Sequence, residues 1–348
     1  MEIILDCERM KYPYTGLFEY CHQLGRALLE IKSTSDQIDI YLQDKDRHYF
    51  PADTKFITQR SLHKFFFPKL PAKADIWHAT HQTSWYIPPA GRKIKRVLTI
   101  HDLNFLYENK SEQKRAAWLK KHQRNIDLAD QLVAISEFTK NDVLKHLQVN
   151  KPITVIYNGC NVNMFPEFNN PTYKPTHPFL FTIGTVNAKK NFHVLPCLIA
   201  NKDLELIIAG KADGDYIQTI MLEAKKYGVE DRVKILGAVS NEDKYWFYKN
   251  CEAFVFPSIA EGFGIPVIEA MTFGKPVFLS TATCLPEIGA EHAWYFKNFD
   301  PDEMRRTFTE GMIQYQQEQP QQSIMAHAAK FNWINTAKAY LEVYRSLM

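Results

Sequence analysis

The chain has 348 residues, a length typical of two domains or of one large one. Hydrophobic residues make up 45% and charged residues 23%, which excludes a disordered chain, a collagen-like chain and a small disulfide scaffold. The net charge of +3 is too small to indicate nucleic-acid binding. It is unevenly distributed, because residues 1–170 carry 24 basic and 19 acidic side chains, a net of +5, and the remainder carries −2.

Three features of the sequence predict a cytoplasmic protein. No stretch reaches the roughly 18 apolar residues that a membrane span needs. The acidic Glu2 follows the first methionine, which is untypical of a signal peptide. The six cysteines are scattered without a C-x-x-C pair, a spacing that favours reduced thiols over disulfides or a zinc site. We expect at most peripheral contact with the inner face of a membrane.

In the first half, short apolar runs alternate with helical patterns. This alternation predicts βαβ units and a parallel sheet, and hence an α/β fold. A proline-rich segment, Asn169–Pro178, interrupts it and predicts a domain boundary. The predicted strands are Ile3–Leu5, Ile38–Leu42, Ile76–His78, Arg96–Ile100, Gln131–Ile135 and Ile153–Ile156.

The second half repeats the alternation, with most strands followed directly by a glycine or a proline. Ligands of open α/β sheets bind at the carboxyl ends of the strands, so the loops there are candidate site segments. The chain finishes with a helical pattern over Phe331–Met348. We therefore predict domains at 1–172 and 173–329 and a final helix at 330–348. The predicted strands are Phe179–Ile183, Leu204–Ala209, Val233–Leu236, Ala253–Phe256 and Val277–Ser280.

A helix is predicted over Ile265–Phe273, after the strand Ala253–Phe256. Pro266 is favourable in the first turn of a helix, and Gly274 is favourable just after its end. Two glycines precede the helix and would let the backbone approach a ligand closely. Free N–H groups and the positive end of the helix dipole favour an anion there.

Two glutamates flank this predicted anion site. Glu261 lies just before the helix and Glu269 about one turn inside it. Because carboxylates accept hydrogen bonds from hydroxyls, the arrangement fits a ligand with hydroxyls beside a phosphate, such as a nucleotide sugar. The alternative interpretation is that both glutamates only stabilise the helix dipole.

The segment Glu261–Glu269 resembles the E-x7-E signature of retaining glycosyltransferases of family 4. Residues 181–192 resemble the donor-phosphate loop of that family, and residues 206–210 and 233–240 resemble its next two strands. The N-terminal half matches more loosely, through Thr15-Gly16 and residues 99–102 and 134–140. The resemblance implies the GT-B fold, in which two Rossmann-like domains face each other across a cleft and the final helix crosses back to the N-terminal domain.

The resemblance also implies a donor site. Lys190 would bind the diphosphate, Glu261 the transferred sugar and Glu269 the ribose. Thr185 stands where many relatives have an arginine, so the guanidinium is lost, and Lys189 would replace part of its charge. The implied donor-binding residues are Gly16, Gly184, Thr185, Lys189, Lys190, Val239, Glu261, Gly262, Phe263, Gly264, Ile265 and Glu269. Without the resemblance, the lysine pair would be a solvated loop and Gly16 an ordinary turn glycine.

The implied catalytic residues are His101, Glu261 and Lys190, and the candidate acceptor contacts are His78, His81 and Asp102. His101 follows a strand end, where α/β sites form, although a core or capping histidine is the alternative. We predict no cofactor and no essential metal. The D-x-D triplets at Asp44–Asp46 and Asp213–Asp215 are expected by chance in a chain with this many acids.

A basic stretch covers residues 91–124, with ten basic side chains against three acidic ones and Trp118 among them. A basic helix with an aromatic residue can lie on an anionic bilayer. The alternative is a solvated helix face with Trp118 in the core.

The predicted activity is transfer of a hexose, with retention of configuration, from a nucleotide-diphosphate sugar to a glycan or lipid-linked glycan in cell-surface polysaccharide synthesis. Mannose from GDP-mannose is the preferred donor, by likeness to bacterial mannosyltransferases, and UDP-glucose and UDP-N-acetylglucosamine stay open. The alternatives are a nucleotide-sugar 2-epimerase on the same fold and an inactive GT-B protein that binds a glycan or a partner.

Overall fold

The computed structural model describes residues 1–13, 15–108, 110–162, 164–212 and 214–348. Within these ranges the chain forms two compact units. Unit 1 comprises Met1–Gly159 and Phe331–Met348, and unit 2 comprises Cys160–Lys330. The division falls earlier than the predicted boundary at residue 172.

The segment before residue 173 belongs to unit 2 because its contacts lie there. The backbone N–H and the hydroxyl of Thr172 donate to the Asp243 carboxylate at 2.8 and 2.6 Å. The Phe165 ring stacks on the Tyr245 ring, with the centroids 6.0 Å apart. The prolines of the sequence mark an irregular segment, but they do not indicate which unit the segment packs against.

The described part of unit 1 contains a seven-stranded sheet, in the order β3-β2-β1-β4-β5-β6-β7, with every pair parallel. The inner strands are almost entirely buried, as expected when helices cover both faces, whereas the two edge strands are partly exposed. The strands are β1 (Glu2–Asp6), β2 (Gln37–Leu42), β3 (Lys55–Thr58), β4 (Ile76–Ala79), β5 (Lys95–Ile100), β6 (Gln131–Ala134) and β7 (Ile153–Val155), and the helices are α1 (Gly16–Ile31), α2 (Glu112–Leu128) and α3 (Glu137–His146).

Unit 2, as far as it is described, contains a six-stranded parallel sheet in the order β10-β9-β8-β11-β12-β13. The strands are β8 (Phe179–Ile183), β9 (Glu205–Ala209), β10 (Val233–Gly237), β11 (Ala253–Phe256), β12 (Val277–Ser280) and β13 (Trp294–Phe296). The helices are α4 (Gly214–Lys226), α5 (Asn241–Asn250), α6 (Ile265–Thr272), α7 (Leu285–Gly289), α8 (Pro301–Glu318) and α9 (Gln321–Ala328).

Both sheets have the Rossmann-like order, so the predicted α/β class with two such sheets is confirmed. The strand order reverses between β1 and β4 in unit 1 and between β8 and β11 in unit 2. A crevice forms at the carboxyl ends of the strands where the order reverses, and this position favours ligand binding.

The last helix, α10 (Trp333–Ser346), belongs to unit 1. The buried Tyr340 hydroxyl lies 2.6 Å from the Tyr20 hydroxyl and 2.8 Å from the Thr99 hydroxyl. Tyr344, one turn further on, places its hydroxyl 2.7 Å from Nδ1 of His78. Residues from the two ends of the chain therefore share one core.

Candidate functional site

The signature loop of unit 2 runs from β11 to α6. Gly264 has φ = +110°, a left-handed conformation that glycine adopts without strain, and it directly precedes α6. The helix begins at Ile265, with Pro266 in its first turn, as predicted. Phe263 is buried and its carbonyl accepts a hydrogen bond from the Cys284 thiol at 3.0 Å. The loop therefore holds a fixed shape before a helix N-terminus.

Lys190 and Glu261, two residues of the predicted donor site, lie together. Lys190 Nζ donates to Glu261 Oε1 at 2.5 Å, and both side chains are mostly buried. The Ser258 hydroxyl donates to the same carboxylate oxygen at 2.5 Å. The backbone N–H of Glu261 donates to the Thr283 hydroxyl at 3.0 Å. The carboxylate therefore has a defined position.

The loop after β8 brings Lys190 to this place. Gly184 has φ = +154°, and a Cβ atom there would lie 3.0 Å from Cε of Lys190, so a larger residue would displace the lysine. The Lys189 carbonyl accepts from the Ile259 N–H at 3.0 Å and lies 3.3 Å from the Ser258 hydroxyl oxygen. The two site loops of unit 2 are thus joined through backbone contacts. Thr185 lies exposed in the first of them.

Glu269 is held by partners different from those of Glu261. Lys244 Nζ donates to its Oε1 at 2.6 Å, and the Tyr248 hydroxyl donates to its Oε2 at 2.9 Å. Burial alone would lower the pKa of Lys244, but the Glu269 carboxylate outweighs it and holds the pKa above its usual value. The result is a largely buried, charged pair that joins α5 to α6.

The other predicted donor residues lie on strand ends or helix starts. Val239 follows β10 by two residues and is half-buried. Gly262 precedes the buried Phe263 in the signature loop. Gly16 starts α1 of unit 1, exposed, with open space where a Cβ would stand.

Three histidines of unit 1, His78, His81 and His101, form what we call the histidine cluster. The His101 ring nitrogen Nε2 donates to the Thr80 carbonyl at 2.7 Å. The His81 and His101 rings stack with their centroids 5.8 Å apart. Burial lowers the pKa of His101 to about 4, so the ring is neutral near pH 7 and its Nδ1 is a hydrogen-bond acceptor.

Arg9 fixes the neighbouring His81. Its Nη2 donates to Nδ1 of His81 at 3.1 Å and to the Thr83 hydroxyl at 2.9 Å. Nε of Arg9 also lies 3.0 Å from the buried Glu8 carboxylate. Burial and the nearby Arg9 hold the pKa of His81 well below its usual value. Glu8 and Arg9 follow β1 without a recognisable motif, so their place beside His81 could not be predicted from the sequence.

The structure does not fit the prediction that His78 contacts the acceptor. His78 is fully buried, with Nδ1 beside the Tyr344 hydroxyl and Nε2 2.7 Å from the Thr99 hydroxyl. Its ring joins the sheet of unit 1 to α10. Asp102 lies after β5, where its carboxylate accepts from the Asn104 N–H at 3.0 Å.

Among the residues that the structure describes, no group of three or more His, Cys, Asp and Glu side chains is placed to hold a metal ion. Asp213 lies outside the described residues. Independence from metal stays a prediction. None of the helices in the described ranges has the length and apolar character that a membrane span needs.

Solved structures of other proteins share the fold of this chain. Sucrose-phosphate synthase from Thermosynechococcus elongatus superposes with a TM-score of 0.76 at 18% identity, over 100% of this chain and 99% of that chain. HepE of Anabaena, in complex with UDP and glucose, gives 0.72 at 17% identity, over 99% and 100%. At such identity the likeness establishes the fold alone, which is the GT-B fold of glycosyltransferases.

Two family models identify the family. The model described as glycosyl transferases group 1 matches residues 165–329, and the model described as glycosyltransferase family 4 matches residues 35–163. Together they cover most of the chain. The chain belongs to the group 1, family 4 glycosyltransferases, as its motifs predict.

Mannosyltransferases are among the similar curated proteins. O-antigen chain mannosyltransferase B of Escherichia coli is 23% identical over 391 residues, covering 100% of both chains. The serotype-specific mannosyltransferase WbdA of Escherichia coli is 30% identical over 189 residues, which cover 51% of this chain and 23% of WbdA. The chain therefore spans one of these relatives in full and under a quarter of the other.

Proposed function

We propose that the chain transfers mannose from GDP-mannose to a glycan or lipid-linked glycan, with retention of configuration and without a metal ion. The observation that carries the proposal is the cluster of Lys190, Glu261 and Ser258 beside the N-terminus of α6. Mannosyltransferases among the relatives support the sugar, and the O-antigen chain in one relative's name supports a cell-surface glycan as acceptor.

The proposed chemistry uses fixed charge at the leaving group. Negative charge accumulates on the diphosphate as the bond from its oxygen to the sugar C1 breaks. The Lys190 ammonium and the backbone N–H groups at the start of α6 stabilise that charge in place of a metal. The departing phosphate oxygen takes the proton of the acceptor hydroxyl as the new glycosidic bond forms on the same face of the sugar.

The two glutamates have separate proposed roles. Binding of the diphosphate competes for Lys190, while Glu261 keeps its bond from the Ser258 hydroxyl and accepts hydrogen bonds from the sugar. Glu269, held by Lys244 and Tyr248, accepts from the ribose hydroxyls. The carboxylates are thus positioned before the donor arrives, which lowers the entropic cost of binding.

UDP-glucose is the second candidate donor. One structural neighbour at 17% identity was solved with UDP and glucose, which favours testing this donor beside GDP-mannose. The site residues named above contact phosphate, sugar and ribose groups that both donors share.

The test measures nucleotide release from GDP-mannose, UDP-glucose and UDP-N-acetylglucosamine, with and without a polysaccharide-primer extract and with added EDTA. We expect acceptor-dependent release of GDP, unchanged by EDTA. Acceptor-independent conversion of UDP-N-acetylglucosamine into its C2 epimer, which releases no nucleotide and is followed by chromatography of the nucleotide sugar, would indicate the epimerase instead. No turnover and no thermal shift with any donor would indicate an inactive binding protein.

The site assignment is tested by Glu261→Gln, which keeps the shape and removes the charge. We expect transfer to fall by about 100-fold, since a sugar contact and the partner of Lys190 change together. Glu310→Gln is the matched control, because Glu310 is exposed on α8. Equal rates in the two variants would remove Glu261 from the site.

A further inference from the structure

Unit 1 carries an exposed aromatic and basic surface outside the sites described above. A cavity of about 730 Å³ opens between the segment 63–67, Trp85 and the end of α2. We call its exposed aromatic and basic residues, together with the adjacent Lys121, the aromatic-basic patch. The patch consists of Lys64, Phe65, Phe66, Trp85, Arg92, Lys121 and Arg124.

The apolar side chains of the patch face solvent to an unusual degree. Phe65 is 81% exposed, Phe66 76% and Trp85 48%. The neighbouring Leu62 is 65% exposed. Single exposed apolar residues are common on soluble proteins, but a cluster of large ones beside a cavity indicates a binding surface.

Cations surround these rings. Lys121 Nζ lies 4.5 Å and Arg124 Cζ 5.8 Å from the centroid of the Trp85 ring. Lys64 and Arg92 line the same cavity, with Asp127 as the acidic residue of the lining. In the described ranges of the chain, no ion pair joins the four cations to a carboxylate.

The pKa of Lys121 is lowered by its surroundings. Burial lowers its pKa first, and the positive charges of Arg9, Arg124 and Lys64 lower it further against the opposing effect of Glu8. The patch therefore combines a positive potential with apolar groups. A binding partner complementary to it is negatively charged at its surface and apolar beneath.

We propose that the aromatic-basic patch binds the surface of an anionic phospholipid bilayer. Phe65 and Phe66 insert at the level of the headgroups, and the four cations contact lipid phosphates. The surface differs from the one that the sequence predicts, because Phe65 and Phe66 precede the basic stretch 91–124. Trp118 of that stretch is 52% exposed, but it does not line the cavity; its ring packs against Phe105 and His122, with centroids 5.4 and 6.4 Å away.

Co-sedimentation with vesicles tests the proposal. The full chain is mixed with vesicles of phosphatidylcholine alone or with about one-third phosphatidylglycerol. We expect sedimentation with the anionic vesicles only, weakened at high salt because salt screens exposed charges. The assay contains no nucleotide sugar, so its outcome and that of the transfer assay are independent.

Two variants separate the contributions of the cations and of the phenylalanine rings to vesicle binding. Lys64→Glu with Arg92→Glu and Arg124→Glu should weaken vesicle binding by on the order of 100-fold, since each cation near an anionic surface contributes several-fold. Phe65→Ser with Phe66→Ser should weaken it by about tenfold or more while leaving the charge unchanged. Both substitutions are on exposed side chains, and thermal unfolding verifies that the variants fold.

Matched controls change the same chemistry elsewhere. Lys174→Glu with Lys225→Glu and Lys249→Glu alters three exposed lysines of unit 2, and Leu222→Ser with Ile313→Ser removes two exposed apolar side chains. We expect both controls to bind vesicles like the unmodified chain. Equal losses in patch and control variants, no binding to anionic vesicles, or binding to soluble glycan in place of vesicles would overturn the proposal.

Discussion

The candidate sites of the two units differ in the charge of their titratable side chains. Unit 2 keeps it, as two Lys–Glu pairs with N–O distances of 2.5 and 2.6 Å. Unit 1 keeps the charge of Arg9 and Glu8 but suppresses that of its histidines, because burial lowers the pKa values of His78, His81 and His101 and leaves their rings neutral. Fixed charge suits a diphosphate, whereas neutral rings suit hydrogen bonds with hydroxyls. The comparison therefore separates leaving-group chemistry from hydroxyl recognition.

We expect the largest effect when the positive charge of the Lys190–Glu261 pair is removed. In Lys190→Met the side-chain length is kept but the ammonium is lost, so the departing diphosphate loses its cation. We expect kcat to fall by about 10²–10³-fold, as for loss of one preorganised group at a developing charge. Steady-state nucleotide release with saturating donor measures it.

Lys225→Met is the control for this variant, because Lys225 is an exposed lysine of the same unit. It should retain full activity. If Lys190→Met were as active as this control, the first pair would be structural and the contrast between the units would fail.

A smaller effect is expected at the second pair. Lys244→Met leaves Glu269 without its buried cation, so the carboxylate loses its position for the ribose. We expect KM for the donor to rise about tenfold with kcat nearly unchanged, because the ribose contact is made equally in the ground state and the transition state. Tyr248→Phe removes one neutral hydrogen bond and should raise KM less.

An equal loss of kcat in Lys244→Met and Lys190→Met would show that the two pairs act as one unit. Isothermal titration with GDP, which lacks the sugar, sharpens the distinction. Lys244→Met should weaken GDP binding as much as it raises KM.

The pH dependence of stability tests whether the buried His78 of unit 1 is neutral in the folded chain. The pKa of His78 is lowered from 6.5 to about 3 by burial, then by the neighbouring His101. Below about pH 6.5 His78 is protonated in the unfolded chain but stays neutral in the folded chain. The free energy of unfolding therefore falls as the pH drops from about 6.5 towards 3. In His78→Gln this fall should be shallower. Urea unfolding at a series of pH values measures the difference in slope, and identical slopes would contradict it.

The smallest expected effect is on the pH profile of transfer. Burial lowers the pKa of His101 to about 4, so the ring stays neutral as the pH falls from 8 to about 5. We therefore expect no step in the pH profile of kcat in this range to depend on His101. The profiles of the unmodified chain and of His101→Asn should have the same shape. A rate that rises on acidification and loses this rise in His101→Asn would show that the protonated ring acts.

The sequence predicted unit 2 better than unit 1 because its site lies in contiguous segments. Lys190 and Glu261 each occur in a recognisable motif at a strand end, and the structure brings them within 2.5 Å. Lys244 could not be predicted, since it lies on α5 in a pattern typical of any exposed helix. Only packing against α6 reveals its partner.

Unit 1 was harder because its contacts join distant segments. His78 follows the same rule of position as His101, yet α10 covers it and removes it from the surface. The basic stretch 91–124 was predicted as one surface, but the fold combines only part of it with Phe65 and Phe66. Sequence position shows where a strand ends but not which later segment packs over that end.

The discontinuity of unit 1 has a consequence for biosynthesis. All of unit 2 is translated before α10, so the ribosome delivers six strands of a second domain before the first can complete its core. Until then Tyr20, Thr99 and His78 lack their tyrosine partners. The core of the first domain therefore stays incomplete until α10 has been translated and packs against it.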